Sequence, residues 1–172
     1  SFAGAHSNLG SILRDLGNLK DAEISTRKAI ELKPDFAMAY SNLGTILKDL
    51  GKKKEAEISY RKTIELKPDF AIAHYNLGTI LQDLGKSKEA EISYRKAIEF
   101  NPGFAGAHSN LGTILRELGD LKDAEISTRK AIELDPCLAG ANLNLGSILR
   151  DLGNLKDAEI STRKAIEINP DF

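Results

Sequence analysis

Apolar and polar residues alternate along this chain with the period of an amphipathic helix. Near the start, Ala5, Leu9, Ile12, Leu13 and Leu16 fall three and four residues apart, which places them on one face of a helix. Gly17 follows at once, the residue best suited to the left-handed conformation that ends a helix. A second helical segment carries Ala22, Ile24, Ala29, Ile30 and Leu32, and Pro34 prevents its continuation. Asp35, and Asp69 one unit later, stand where the next helix begins and are placed to cap its free amides. The pattern predicts two helices joined by a short turn, which forces them antiparallel.

This unit returns. Ala3 to Phe36 spans 34 residues, and the same pattern restarts at Ala37, Ala71, Ala105 and Ala139. The copies occupy 3–36, 37–70, 71–104, 105–138 and 139–172, and Ser1 and Phe2 fit the last two positions of a preceding copy. A repeat that fills the chain predicts one stacked array over 1–172, each unit contacting its neighbours and none folding alone. Counting Ala3 as position 1, position 8 is always Gly (Gly10, Gly44, Gly78, Gly112, Gly146), in mid-helix, where it costs about 1 kcal/mol relative to Ala. Such a cost implies that another backbone approaches closely, with the small Ala at position 20 as its counterpart. Phe2, Phe36, Phe70, Phe104 and Phe172, with Leu138 in the remaining slot, predict a core column at the turns between units. Glu23, Arg27 and Glu31 stand four apart, and the triplet recurs in every copy, predicting ion pairs on a solvated outer face.

The Leu-Gly pair at positions 7 and 8, Ala at 20 and Pro at 32 occur in all five copies, and Ala at 27 in all but the second, which has Thr63. In these residues and in its length the unit resembles the tetratricopeptide repeat, over essentially the whole chain. The usual Trp at position 4 is replaced by His6, Tyr40, His74, His108 and Asn142, and the aromatic at position 24 survives only as Tyr60 and Tyr94. The resemblance implies an all-α fold, an α-solenoid of five helix–turn–helix repeats forming a right-handed superhelix whose first helices line the concave side.

Composition and chemistry narrow the function. Acidic and basic residues number 25 and 24, so there is no basic excess of the kind that binds nucleic acid or anionic membranes. No apolar run approaches the ~20 residues of a membrane span. The chain starts in mid-repeat without a Met, which suggests an excised fragment, and the compartment is left open. The single Cys137 cannot form an internal disulfide and reads as a tolerated loop substitution. His6, His74 and His108 all occupy position 4, one layer apart instead of converging on one ion, so they read as packing residues. No catalytic residues, metal site or cofactor are expected.

The informative positions are those on the first helix that packing does not require. Position 6 is Asn in every copy: Asn8, Asn42, Asn76, Asn110 and Asn144. Asn is a mediocre helix former and a poor core residue. The resemblance extends here to asparagine-ladder arrays such as the repeat region of O-linked N-acetylglucosamine transferase, which implies an amide ladder that binds the backbone of an extended peptide. An Asn side chain offers a donor and an acceptor together, matching a peptide unit. Packed helices lie ~8–10 Å apart and an extended chain advances about 3.3 Å per residue, so one Asn would meet roughly every third peptide residue. The competing reading is that the ladder hydrogen-bonds between repeats. Position 12 supplies Arg14, Lys48, Gln82, Arg116 and Arg150, each followed by an acid, predicting paired charges. Met38, Ile72 and Tyr75 add an apolar patch suited to selecting a peptide side chain, where other copies have Gly4, Gly106 and Gly140.

The expected partner is therefore a protein or extended peptide, bound by a non-enzymatic scaffold. Two alternatives stand beside it: a substrate-targeting segment of a larger enzyme of glycosyltransferase or sulfotransferase type, and a self-assembling structural spacer. Because the two terminal surfaces match those joined at each internal junction, weak head-to-tail self-association is also expected.

Overall fold

The computed structural model describes residues 2–170, and among these there are ten α-helices and no strand. They are α1 (Phe2–Asp15), α2 (Leu19–Leu32), α3 (Ala37–Asp49), α4 (Lys53–Leu66), α5 (Ala71–Asp83), α6 (Ser87–Phe100), α7 (Ala105–Glu117), α8 (Leu121–Leu134), α9 (Ala139–Asp151) and α10 (Leu155–Ile168). Odd-numbered helices are the first of each repeat and even-numbered the second. The chain forms two compact units, Ser1–Gly85 with α1–α5 and Lys86–Phe172 with α6–α10. Inside each unit, successive helices pack on one another, and first helices also meet directly, α1 with α3, α3 with α5 and α7 with α9.

Each turn inside a repeat has one geometry. Gly17 adopts φ +80°, Asn18 N–H donates to the Leu13 carbonyl at 2.8 Å and Gly17 N–H to that of Arg14 at 2.9 Å. That pair of bonds satisfies carbonyls left open at the helix end, and a left-handed residue with no Cβ makes it inexpensive. The same left-handed glycine recurs at Gly51, Gly85, Gly119 and Gly153.

The core is a layered seam. Positions 10 and 11 (Ile46 and Leu47, Ile80 and Leu81, Ile114 and Leu115, Ile148 and Leu149) are no more than 2 % exposed. In α1 the equivalent face is open: Leu9, Ile12 and Leu16 are exposed, because no helix packs before it among the described residues. The mid-helix glycine works as its cost implied. A Cβ on Gly44 would lie 2.7 Å from the Tyr60 ring, and one on Gly10, Gly112 or Gly146 would collide with the hydroxyl of Thr26, Thr128 or Thr162. The contact is with position 24 first. Position 20 contributes its backbone carbonyl, 3.1 Å from the same point in the case of Ala22.

Four sequence-based expectations change. Asp35 and Asp69 do not cap: the N-cap residues of α3 and α5 are Phe36 and Phe70, and neither makes a side-chain cap bond. The Phe column is no core: Phe2 is exposed, Phe36, Phe70, Phe104 and Leu138 are half-buried, and Phe172 lies outside the described residues. Lys33 and Lys67 instead set their ammonium groups 5.6 and 5.0 Å from the ring centroids of Phe36 and Phe70. Ile24 faces outward, not into the core. The charged triplet splits, since Arg27 bonds Glu23 at 2.8 Å while Glu31 takes Lys28 at 2.8 Å. Glu23 is only 14 % exposed and also accepts Lys52 Nζ of the next repeat at 2.8 Å, so that member of the triplet is an inter-repeat tie. The Lys52 hydrogen bond, aided by Arg27, holds the Glu23 carboxyl below its ordinary range.

Two outcomes follow from this packing. Gly44→Ala raises helix propensity by about 1 kcal/mol yet should lower stability, because overpacking costs about 1–3 kcal/mol. A urea midpoint that falls while m stays constant is the expected result. Tyr60 is fully buried, its hydroxyl 3.1 Å from Thr45 Oγ1, and burial pushes its phenol up to about 12. The unfolded phenol titrates near 10, so Tyr60 contributes its full stability below that pH and loses it as pH rises toward 12, a change on the order of 2 kcal/mol. Tyr60→Phe should be less stable at neutral pH by about 1 kcal/mol and fall less steeply in alkali. Chemical denaturation from pH 8 to 11.5 measures both.

Candidate peptide-binding face

The candidate site lies on the first helices. Along α3, Met38, Asn42, Thr45 and Asp49 are spaced by four, three and four residues and share one face, as do Ile72, Asn76, Thr79 and Asp83 on α5. Met38 is 45 % and Ile72 49 % exposed, and Tyr75 is half-buried.

The asparagines are not equivalent. Asn42 Nδ2 donates to Ser7 Oγ at 3.0 Å and Ser11 Oγ at 3.1 Å, both on the preceding first helix. Asn144 repeats this across α9 and α7, donating to Ser109 Oγ at 3.4 Å and Thr113 Oγ1 at 2.8 Å. An amide nitrogen has two protons, so in both residues the donor is fully spent between repeats, while Oδ1 accepts nothing among the described residues. Asn110 Nδ2 donates to the Tyr94 hydroxyl at 3.3 Å. Asn76 makes no side-chain hydrogen bond among the described residues, and Thr45, its counterpart acceptor by repeat position, is engaged with Tyr60. Asn8 is exposed and also unbonded there.

Position 12 is largely neutralised. Arg14 lies 2.8 Å from Asp15 and 3.8 Å from Asp49, and Arg116 reaches Asp151 at 2.6 Å in the next repeat. The Arg116 hydrogen bond lowers the Asp151 carboxyl below its usual range. Arg150 is 3.7 Å from the same Asp151. Lys48 has no ion pair among the described residues; Asp83, its counterpart in the next repeat, lies 3.7 Å from Lys53 instead.

Position 4 has a structural task that spacing alone did not reveal. His74 Nε2 lies 2.8 Å from the Pro68 carbonyl and His108 Nε2 3.1 Å from that of Pro102, tying each first helix to the turn before it. A carbonyl only accepts, so Nε2–H is the donor in each contact. Among the described residues no group of three His, Cys, Asp or Glu side chains is arranged to hold a metal, and no helix is long and apolar enough to cross a membrane. Cys137 is exposed, in a turn where its N–H donates to Asp135 Oδ1 at 3.0 Å.

Tetratricopeptide repeat models match residues 3–36, 37–70, 71–104, 93–126 and 139–172. The chain belongs to the tetratricopeptide repeat family. Its all-α architecture of five helix–turn–helix repeats is shared by solved structures of that fold. MamA is 24 % identical over 94 % of this chain and 95 % of its own, with a TM-score of 0.85. YrrB, described as a TPR protein with an unusual peptide-binding site, is 29 % identical over 96 % of this chain and 86 % of its own, with a TM-score of 0.81. PilF of Pseudomonas aeruginosa is 21 % identical over 98 % of this chain and 77 % of its own, with a TM-score of 0.89. No curated protein matches the sequence.

The uneven bonding of the asparagines gives a stability signature. Asn42→Ala and Asn144→Ala should each cost about 0.5–1.5 kcal/mol through the lost inter-repeat bonds, and Asn76→Ala less than about 0.5 kcal/mol. Equal losses at all three, read from urea midpoints, would mean that the observed bonds do not distinguish them.

Proposed function

We propose that this chain is a non-enzymatic protein-interaction scaffold whose first-helix face binds an extended peptide by its backbone. The observation that carries the reading is the free Oδ1 of Asn42 and Asn144, whose nitrogens are occupied between repeats. A ladder in this state is a row of fixed acceptors. It receives peptide N–H groups, and the nitrogens of Asn42 and Asn144 have no donor left for peptide carbonyls, whereas at Asn8 and Asn76 the whole amide is available. Fixing the amide by its nitrogen reduces the side-chain entropy lost when a ligand binds.

Met38 and Ile72 supply apolar surface beside the ladder, with Tyr75 half-buried next to them. They select an apolar side chain on a peptide otherwise held without regard to sequence. Among the described residues Lys48 makes no ion pair, whereas Arg14, Arg116 and Arg150 are drawn to acids of the array. The peptide binding described for YrrB, a relative of the same fold, lends weight to the class of ligand. The five repeats act together as one array in this reading.

Affinity should be modest, because ordering a flexible chain offsets much of the gain. Fluorescence anisotropy against a panel of unstructured peptides tests the proposal. The Asn8→Ala, Asn42→Ala, Asn76→Ala triple variant should lose binding by tenfold or more while retaining its helical circular dichroism. A triple variant that binds as tightly as the parent would make the ladder purely structural. Tyr75→Ala should weaken peptides carrying an apolar side chain more than polar ones, by about 1 kcal/mol. Equal losses would remove the selectivity assigned to the patch.

A further inference from the structure

The bonding of each ladder asparagine follows the residue at position 24 of the repeat before it. In the first and fourth repeats that residue is threonine, and among the described residues neither Thr26 nor Thr128 bonds a hydroxyl of its own first helix. There the next asparagine, Asn42 or Asn144, spends both protons on the hydroxyls at positions 5 and 9. In the second and third repeats position 24 is tyrosine, long enough to bring a hydroxyl to the first-helix face. The Tyr94 hydroxyl accepts from Asn110 itself at 3.3 Å. The Tyr60 hydroxyl lies 3.1 Å from Thr45 Oγ1, and Asn76 makes no side-chain hydrogen bond among the described residues. Thr45 and Thr113, both at position 9, differ in the partner they accept. Each donates its own proton four residues back, Thr45 to the Ser41 carbonyl at 3.2 Å and Thr113 to that of Ser109 at 3.3 Å, so each oxygen is left to accept. Thr113 accepts from Asn144 Nδ2 at 2.8 Å, whereas Thr45 accepts from the Tyr60 hydroxyl.

We infer that Tyr60 is a positioning residue of the candidate peptide site. By taking the Thr45 oxygen it keeps Asn76 out of the inter-repeat bonding that fixes Asn42, and leaves the whole Asn76 amide for one complete peptide unit, N–H and C=O together. This rests on the peptide-binding reading above. Asn42 and Asn144 receive a peptide N–H alone, so the two-point contact at Asn76 sets the register of the bound chain. Ile72 stands one helical turn before Asn76 on the same face, with Tyr75 adjacent in the chain. The apolar side chain selected by that patch therefore belongs beside the peptide unit held at Asn76. The fitting partner is an extended segment with an apolar residue at this point and no proline in the unit that Asn76 holds, because proline lacks the N–H.

Side-chain amide exchange, measured by NMR on the 15N-labelled whole chain, tests the positioning role without any peptide. Both side chains are half-buried, so the Asn76 Nδ2 protons should exchange with water faster than those of Asn42 because of their bonding. Tyr60→Phe keeps the ring against Gly44 and removes only the hydroxyl. It should slow Asn76 to the rate of Asn42, which itself stays unchanged, and adding Thr45→Val should make Asn76 fast again. Fluorescence anisotropy with the tightest-binding member of a panel of unstructured peptides, each with one central apolar residue, is the second readout. Tyr60→Phe should weaken that peptide about fivefold, the worth of one net hydrogen bond, and Thr45→Val in the same background should restore it. Equal rates for Asn76 and Asn42 in the parent, or an Asn76 rate that Tyr60→Phe leaves as it was, would overturn the inference. So would an affinity unchanged when Asn76 slows, or one that falls and is not restored by Thr45→Val, the mark of a purely structural loss. A panel in which no peptide binds, with the exchange rates as expected, would instead overturn the peptide-binding reading and uphold the control of Asn76 by Tyr60.

Discussion

The close approach of each first helix to its own second helix at the position-8 glycine sets the geometry of everything else. With no Cβ at Gly44, the ring of Tyr60 takes the space a Cβ would need, and threonine takes the same place in the first, fourth and fifth repeats. That contact brings the helices of a pair together and lets Ile46, Leu47 and their equivalents fill the space toward the next repeat. A glycine in mid-helix is unfavourable alone, and its recurrence makes sense only as part of a stack in which every pair completes the apolar face of another.

Polar ties then fix how one repeat meets the next. His74 and His108 bond the prolyl carbonyl of the preceding turn, Asn42 and Asn144 bond hydroxyls of the preceding first helix, and Glu23 bonds Lys52 of the following repeat. Those of His74, Asn42 and Asn144 are partly buried, where a satisfied hydrogen bond is worth more and an unsatisfied one costs more than at the surface. The asparagine ladder thus carries two roles in one side chain. Its nitrogen serves the stack, and its oxygen is the part we assign to a ligand.

Much of the architecture was legible in the chain because repetition converts weak signals into strong ones. Five glycines at one position, five more at the turn and five prolines located ten helices and their ends with no help from tertiary information. Three-dimensional detail was less accessible. Periodicity placed Ile24 on the apolar face, yet the second helix is rotated so that Glu23, not Ile24, lies toward the neighbouring repeat. Spacing grouped Arg27 with both Glu23 and Glu31, but Lys28 at i,i+3 competes for Glu31 and wins it. Within the candidate site, the sequence marked the asparagines and could not separate Asn42 from Asn76, because both hold the same repeat position and only the folded chain shows that Asn42 bonds hydroxyls of the preceding first helix. That a position-4 histidine reaches back six residues to a prolyl carbonyl was likewise beyond reach of a pattern of side chains.

The measurement that bears most directly on the acceptor ladder is the affinity of a binding peptide compared with its N-methylated counterpart. Methylation at every third amide removes the N–H groups that the Oδ1 atoms would receive and leaves every side chain in place. The account predicts a loss of tenfold or more when the methylated amides fall in register with the ladder, and a smaller loss when they are shifted by one residue. Equal affinity of the parent and methylated peptides would contradict it, since the peptide would then be held by its side chains alone.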